Sequence, residues 1–339
     1  MPTNFVSIVD YAPRPNKPPP VIGKGDIDLF LLLQDFPYLS LPFIGELLGR
    51  KKHVRIENGE PRERYETLSD RLARLRHDGG YLRCPIESWP RQGAKKRHAV
   101  YALTTKGKLA LKECGLYLPT YRLGNDFAHA FGSCVVPASF KLGVLANAQL
   151  RFIDAKEIIA HGACPAMTRD AQEPFSIPVS FTHNRHTIET TKEHDWAPFG
   201  IGYKHDKGER KIFFPGIEFD RDSEPLEASD MARSSLTRHL LMILALLDGG
   251  YKRQFGLPAV FVPIVTIGEV RMRSIMKLLL KLTDGKGSKH ILFKHIPDFA
   301  SYENFPPATG HMLTEPWERA GYEPLDILEV LGPKEKTAS

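Results

Sequence analysis

Apolar positions in the first third of the chain recur at helical spacing and then give way to short strand-like runs. Ile27, Phe30, Leu31 and Leu33 predict a first helix over residues 25–35. Ser40 as N-cap, with Pro42 in the first turn, opens a second helix that buries Phe43, Ile44, Leu47 and Leu48 and stops at Gly49. Tyr65, Leu68, Leu72 and Leu75 form one stripe, which predicts a third helix from Pro61 or Arg62 to Asp78, ended by Gly79-Gly80. Short strands at 81–86 and 98–103 enclose the polar loop 91–97. Thr104 or Thr105 then caps a helix through Cys114. Helix, helix, helix, strand, basic loop, strand, helix is the order of a winged helix-turn-helix, expected over residues 25–115.

The joint between the second and third helices departs from that plan. Residues 50–64 are charged, hold the turn signal Asn58-Gly59 and exceed a tight turn. Two readings stay open: a basic hairpin adding phosphate contacts, or a third helix that begins elsewhere. Ahead of the domain, five prolines between Pro13 and Pro20 make residues 1–24 an extended, flexible arm. Residues 116–139 form a connector without a resolved pattern.

From about residue 140 the pattern becomes mixed. Helices are expected at 142–150, 154–161, 229–249 and 271–282. Strands are expected at 177–181, 199–203, 211–220, 259–266 and 290–294. The fold class is therefore α/β (α+β): a winged helix followed by a second mixed domain over 140–300, with 301–339 as an extension whose tail frays from Gly332.

Charge sharpens the first domain. Between Arg50 and Lys112 about 17 Lys and Arg face about 7 Asp and Glu, while the whole chain carries only +6. A basic segment beside a near-neutral remainder suits a polyanion-binding module. Rotation about the third helix places Thr67, Asp70 and Arg74 opposite the apolar stripe, with Arg64 and Arg71 on its flank. Thr67, Asp70 and Arg74 are the expected base readers. Arg71 and the loop residues Lys95, Lys96 and Arg97 are the expected phosphate holders, with Arg64 beside them. Cys84, Cys114, Cys134 and Cys164 form no CxxC pair, so a zinc ribbon is disfavoured and reduced thiols are expected. His183, His186, His194 and His205 lack paired ligand spacing. No apolar run of about 20 residues and no secretory leader is read, so a cytoplasmic protein without membrane contact is expected.

In the second half, Glu218 and Asp220 sit at i and i+2 on an expected strand, with side chains on one face about 6.5–7 Å apart. Strand acids of this kind hold Mg²⁺ in PD-(D/E)xK nucleases, where the metal activates water. The lysine position of that pattern holds Asp220. Asp195 and Asp206 are the nearest candidates for its first acid. The bland reading pairs the two carboxylates with Arg221, Arg233 or Arg238.

The runs FFPGIEFDRDSEPL (213–226), RSSLTRHL (233–240) and VPIVTIGEVRMRSIMKLL (262–279), behind an N-terminal winged helix, resemble the plasmid replication-relaxation proteins of bacterial mobile elements. The resemblance covers most of residues 25–295. It implies a restriction-endonuclease-like second domain and a role in plasmid replication, relaxation, mobilisation or their regulation. The family's Glu-x-Asp falls on Glu218 and Asp220, and its Pro-Asp on Pro198 and Phe199, so the aspartate is missing. The expectation is thus a duplex DNA-binding protein with no cofactor and an inactive nuclease-like domain. Two alternatives stay open: a Mg²⁺-dependent endonuclease using Glu218 and Asp220, and a relaxosome scaffold that binds protein. Double-stranded DNA is the expected partner, with a second copy of the chain and other plasmid-processing proteins also considered.

Overall fold

A computed structural model describes residues 17–57, 60–85, 99–117, 126–205, 208–228, 233–297 and 306–332. It mixes helix and sheet and divides into two units, residues 1–138 with 302–308, and residues 139–301 with 309–339.

The first unit begins with α1 (Lys24–Asp35), the two-residue strand β1 (Leu39–Ser40) and α2 (Leu41–Leu47). Pro42 lies in the first turn of α2, where a missing N–H costs nothing, and Gly49 takes a left-handed φ just past the helix end. A hairpin follows, β2 (His53–Glu57) against β3 (Glu60–Arg64), and only then α3 (Glu66–His77). The third helix therefore starts at Glu66, not at Pro61 or Arg62. The pairing of residues 53–57 with 60–64 takes the positions a first helical turn would have needed. Residues 58 and 59, where a turn was expected, lie outside the described residues. Strands β4 (Leu82–Arg83) and β5 (Val100–Leu103) join β1 in an antiparallel sheet of order β1–β5–β4. Helix α4 (Thr105–Glu113) is capped by the Thr104 hydroxyl, which accepts from the Gly107 amide at 3.2 Å and donates to Gly80 O at 2.7 Å. Phe30, Leu33, Phe43, Ile44, Leu72, Leu75 and Leu111 fill the core.

Helix α5 (Phe127–Leu145) occupies much of the stretch expected to be a connector, and the division between the units falls inside it. It is the one helix among the described residues whose length and composition would allow a membrane crossing, and 78% of its apolar window is buried in the fold.

In the second unit, β6 (Leu150–Ile153) precedes the short helices α6 (Ala155–Ala160), capped by Asp154, and α7 (Ala166–Arg169). The hairpin β7 (Ile177–His183) and β8 (His186–Lys192) alternates buried and exposed positions on β7. Strands β9 (Phe199–His205) and β10 (Gly208–Phe214) complete a sheet of order β10–β9–β6. The run 211–220, expected to be one strand, is broken at Pro215-Gly216, and β11 (Glu218–Asp220) belongs to a different sheet. Helix α8 (Leu236–Ala245), capped by Ser235, passes through a wide turn at Asp248 and Gly249 into α9 (Tyr251–Phe255). Strand β12 (Val262–Thr266), helix α10 (Glu269–Leu282) and strand β13 (Ile291–His295) follow. The expected extension then folds as α11 (His311–Thr314), β14 (Trp317–Arg319), β15 (Tyr322–Leu325) and α12 (Ile327–Leu331). These strands form a five-stranded sheet, β11–β12–β13–β14–β15, in which β11, β12 and β13 run parallel. Phe140, Phe199, Phe214 and Trp317 pack in one aromatic cluster, with Phe199 and Phe214 stacked at 4.7 Å.

Candidate functional site

Two places in the molecule gather the residues singled out by the sequence. The first is α3. Leu68, Leu72 and Leu75 are buried, and Thr67, Asp70 and Arg74 are exposed on the helix's other side. Arg71 is differently placed. Its Nε donates to Asp26 Oδ1 at 2.8 Å, and its Nη2 to Asp26 Oδ2 at 2.5 Å and to Val21 O at 2.7 Å. This two-pronged pair ties α3 to the start of α1. Burial would raise the Asp26 carboxyl, but Arg71 and the Gly23 amide hold it below its ordinary range. Arg71 and Arg50 border a cleft of about 360 Å³ that also reaches Thr67. Arg64 lies on β3, opposite His53, so the helical face expected to carry it does not. Lys95, Lys96 and Arg97 lie outside the described residues.

The second place is the edge strand β11. The segment after β8 runs antiparallel to the approach of β11, because Trp196 bridges Ile217 and the Asp195 amide donates to Ile217 O at 3.0 Å. Gly216 makes room there, since a Cβ at that position would collide with His194. Lys192 and His194 are thereby delivered to Glu218. The Lys192 ammonium, 3% exposed, lies 2.7 Å from Glu218 Oε2, and His194 Nδ1 bonds to Oε1. The Tyr251 hydroxyl lies 2.9 Å from His194 Nε2. Burial pushes His194 below its usual range despite the nearby carboxylate, so the ring is neutral, donating from Nδ1 to Glu218 and accepting at Nε2 from Tyr251. Burial alone would raise Glu218, but Lys192 and His194 outweigh it and hold the carboxyl well below the ordinary range.

Asp220 meets a different cation. Arg271 Nε donates to its Oδ2 at 2.7 Å, and Arg271 also reaches Asp222 at 3.1 Å and Glu224 O at 2.5 Å. The expected partners were Arg221, Arg233 and Arg238; the groups found on the two carboxylates are the Lys192 ammonium and the His194 ring on Glu218, and the Arg271 guanidinium on Asp220. The parallel pairing of β11 with β12 sets Asp220 beside Thr266, and α10 begins three residues later, which brings Arg271 to the strand's end. Arg238 instead donates to Thr190 at 2.9 Å.

The implied Mg²⁺ can be tested against this donor set. Each carboxylate is already neutralised by a hydrogen-bonded cation. Asp195 accepts from the Phe219 amide at 2.7 Å, and Phe199 is an aromatic of the core. These residues do not fit a divalent ion. Among the described residues no group of three or more His, Cys, Asp or Glu is arranged to hold a metal. His183 and His186 face each other at the tip of the β7–β8 hairpin, away from the His194 cluster in sequence and in pairing. Among the cysteines, Cys84, Cys134 and Cys164 are buried and Cys114 is exposed, all as thiols. Asp206 lies outside the described residues.

Lys192 and Arg271 were not singled out by sequence reasoning. Each acts on an acid that is distant along the chain, and only the strand pairings bring them together. Compared with protein-family models, with curated proteins and with solved structures, the chain matches none.

Proposed function

We propose that residues 25–115 form a winged helix that binds duplex DNA, with α3 entering the major groove. The observation that carries this reading is the combination of α1, α2 and α3 with an antiparallel sheet of order β1–β5–β4. A helix of this kind fits the groove and presents its exposed side chains to base edges. Thr67, Asp70 and Arg74 are the readers in this scheme. The loop carrying Lys95, Lys96 and Arg97 supplies phosphate contacts. Arg71 has a positioning role, since its guanidinium is engaged by Asp26.

The second unit is read as a restriction-endonuclease-like domain that does no metal chemistry through Glu218 and Asp220. The resemblance of residues 213–226, 233–240 and 262–279 to replication-relaxation proteins supports a role in plasmid or mobile-element replication, relaxation, mobilisation or their control. The test is titration of labelled duplex DNA with the full chain at several salt concentrations. With about 4–6 phosphate contacts, log K falls against log salt with a slope of roughly −4 to −5. A slope near zero, or no binding at low salt, overturns the reading. Sequencing the fragments that the protein retains identifies the site.

A further inference from the structure

The cleft of about 360 Å³ in the first unit opens between Val21–Gly23, the first turns of α1, the C-terminal end of α2 and the first half of α3. Its volume falls at the lower end of the ~300–1,000 Å³ range of small-molecule sites. The walls are of two kinds. The buried Leu68 and the half-buried Leu48 give apolar surface. Asp26, Arg50, Thr67 and Arg71 give polar groups.

The charges in this lining do not balance. Arg71 takes both oxygens of the Asp26 carboxylate, and the Gly23 amide donates to it as well, at 2.8 Å. Arg50 is left over. Its guanidinium lies against the backbone of α1, where a Cβ on Gly25 would stand 3.0 Å from Nη2. Among the described residues it has no hydrogen-bond partner, and it acts on Asp26 only through space. The cleft therefore holds two cations against one anion, and the uncompensated cation shares it with the leucines.

The chain around Arg50 is held on both sides. Its amide donates to Gly45 O at 2.8 Å, just after the left-handed turn at Gly49. Two residues on, Lys52 Nζ lies 3.2 Å from Glu46 Oε1, the oxygen that also accepts from the Tyr65 hydroxyl at 2.6 Å. Tyr65 leads directly into Glu66, the first residue of α3. The root of the Arg50 side chain is thus set by α2 and by the start of α3.

We propose that this cleft binds a small organic carboxylate, whose anionic group pairs with Arg50 beside the Thr67 hydroxyl while its apolar body covers Leu48 and Leu68. Arginine suits a carboxylate because two parallel N–H donors match its two oxygens. The consequence for DNA rests on the winged-helix reading. That reading gives Thr67 to base contact, so a ligand held against this residue opposes its use by a duplex. Coupling of two sites is reciprocal: the carboxylate lowers duplex affinity, and the duplex lowers affinity for the carboxylate.

The probe is phenylacetate, with phenylacetamide as its neutral isostere and acetate as the charge without the apolar body. Titration calorimetry follows each against the full chain, for the wild type, Arg50→Ala and Arg50→Lys. Phenylacetate binds the wild type at concentrations where the amide and acetate do not. Arg50→Ala weakens it about 10- to 100-fold, the contribution of a charge-assisted hydrogen bond. Arg50→Lys keeps the charge, loses the fork and falls between. Arg50 is exposed, so both variants melt with the wild type. No binding by the wild type, equal binding of the amide, or undiminished binding by Arg50→Ala overturns the site. Labelled duplex is then titrated with and without saturating phenylacetate. Weaker duplex binding supports the coupling, and unchanged affinity with the carboxylate bound overturns the coupling alone. A wild type that takes the carboxylate but no duplex at low salt overturns the winged-helix reading and leaves the cleft site standing.

Discussion

At the scale of single residues, Glu218 is the most consequential side chain described. It joins the buried Lys192 ammonium to the His194–Tyr251 pair. Glu218→Gln leaves a nearly unexposed ammonium without its counter-charge, and removing one partner of such a pair typically costs about 3–5 kcal/mol. Urea unfolding of the two proteins checks the value. The same cluster sets the response to acid. The Glu218 carboxyl is held low in the fold, so its stabilisation is present above the unfolded value of about 4.3 and fades as pH falls toward the folded value. His194 is also lowered, so below about pH 6.5 the unfolded chain takes up a proton that the fold refuses. Both effects destabilise in acid, the histidine first. His194→Gln flattens the upper part of that decline in unfolding curves recorded from neutral pH downward, and an unchanged pH profile in the variant removes His194 as its source.

At the scale of elements, α3 separates two kinds of side chain. Arg74→Ala should cost about 1–3 kcal/mol on the preferred site and relax discrimination there, whereas loss of a phosphate contact weakens all duplexes alike. Competition between preferred and scrambled duplexes distinguishes the two. Elements with a strong local signature were legible in the sequence. The stripe Leu68, Leu72, Leu75 foretold α3, Gly49 and Gly80 foretold two helix ends, and the apolar runs of β12 and β13 were in place. The hairpin within 50–64 could not be told from a misplaced helix start, because charged residues carry no apolar period and the pairing of Arg55 with Arg62 follows no propensity rule. Helix α5 was missed for the opposite reason. It is apolar nearly all round, holds Pro137 and so shows no amphipathic stripe. Strands β14 and β15 are short, and their place in the sheet depends on Trp317, a buried anchor whose partners lie far away in sequence.

At the scale of the whole molecule, the positive charge is concentrated in one stretch of the sequence. The excess of about ten positive charges between Arg50 and Lys112 leaves a remainder of about −4 for everything else. The chain divides at 138/139, inside α5, a helix with no amphipathic stripe to mark it in the sequence. The candidate acids were legible as a pair, but their partners were not, since those come from a strand end and a helix start outside the motif. Incubation of the full chain with supercoiled plasmid in Mg²⁺ or Mn²⁺ should leave the plasmid intact. Nicking by the wild type that a Glu218→Gln, Asp220→Asn variant lacks would restore the endonuclease alternative.

The shared anchorage of Lys52 and Tyr65 on Glu46 has a consequence for how such a protein can diverge. With entry and exit held at one carboxylate, the number of residues between them does not enter the geometry of α2 and α3. Lengthening a closed segment is cheap, about 0.6 kcal/mol for each doubling. Insertions and deletions between the two anchors, Lys52 and Tyr65, therefore leave the placement of α3 against α2 unchanged.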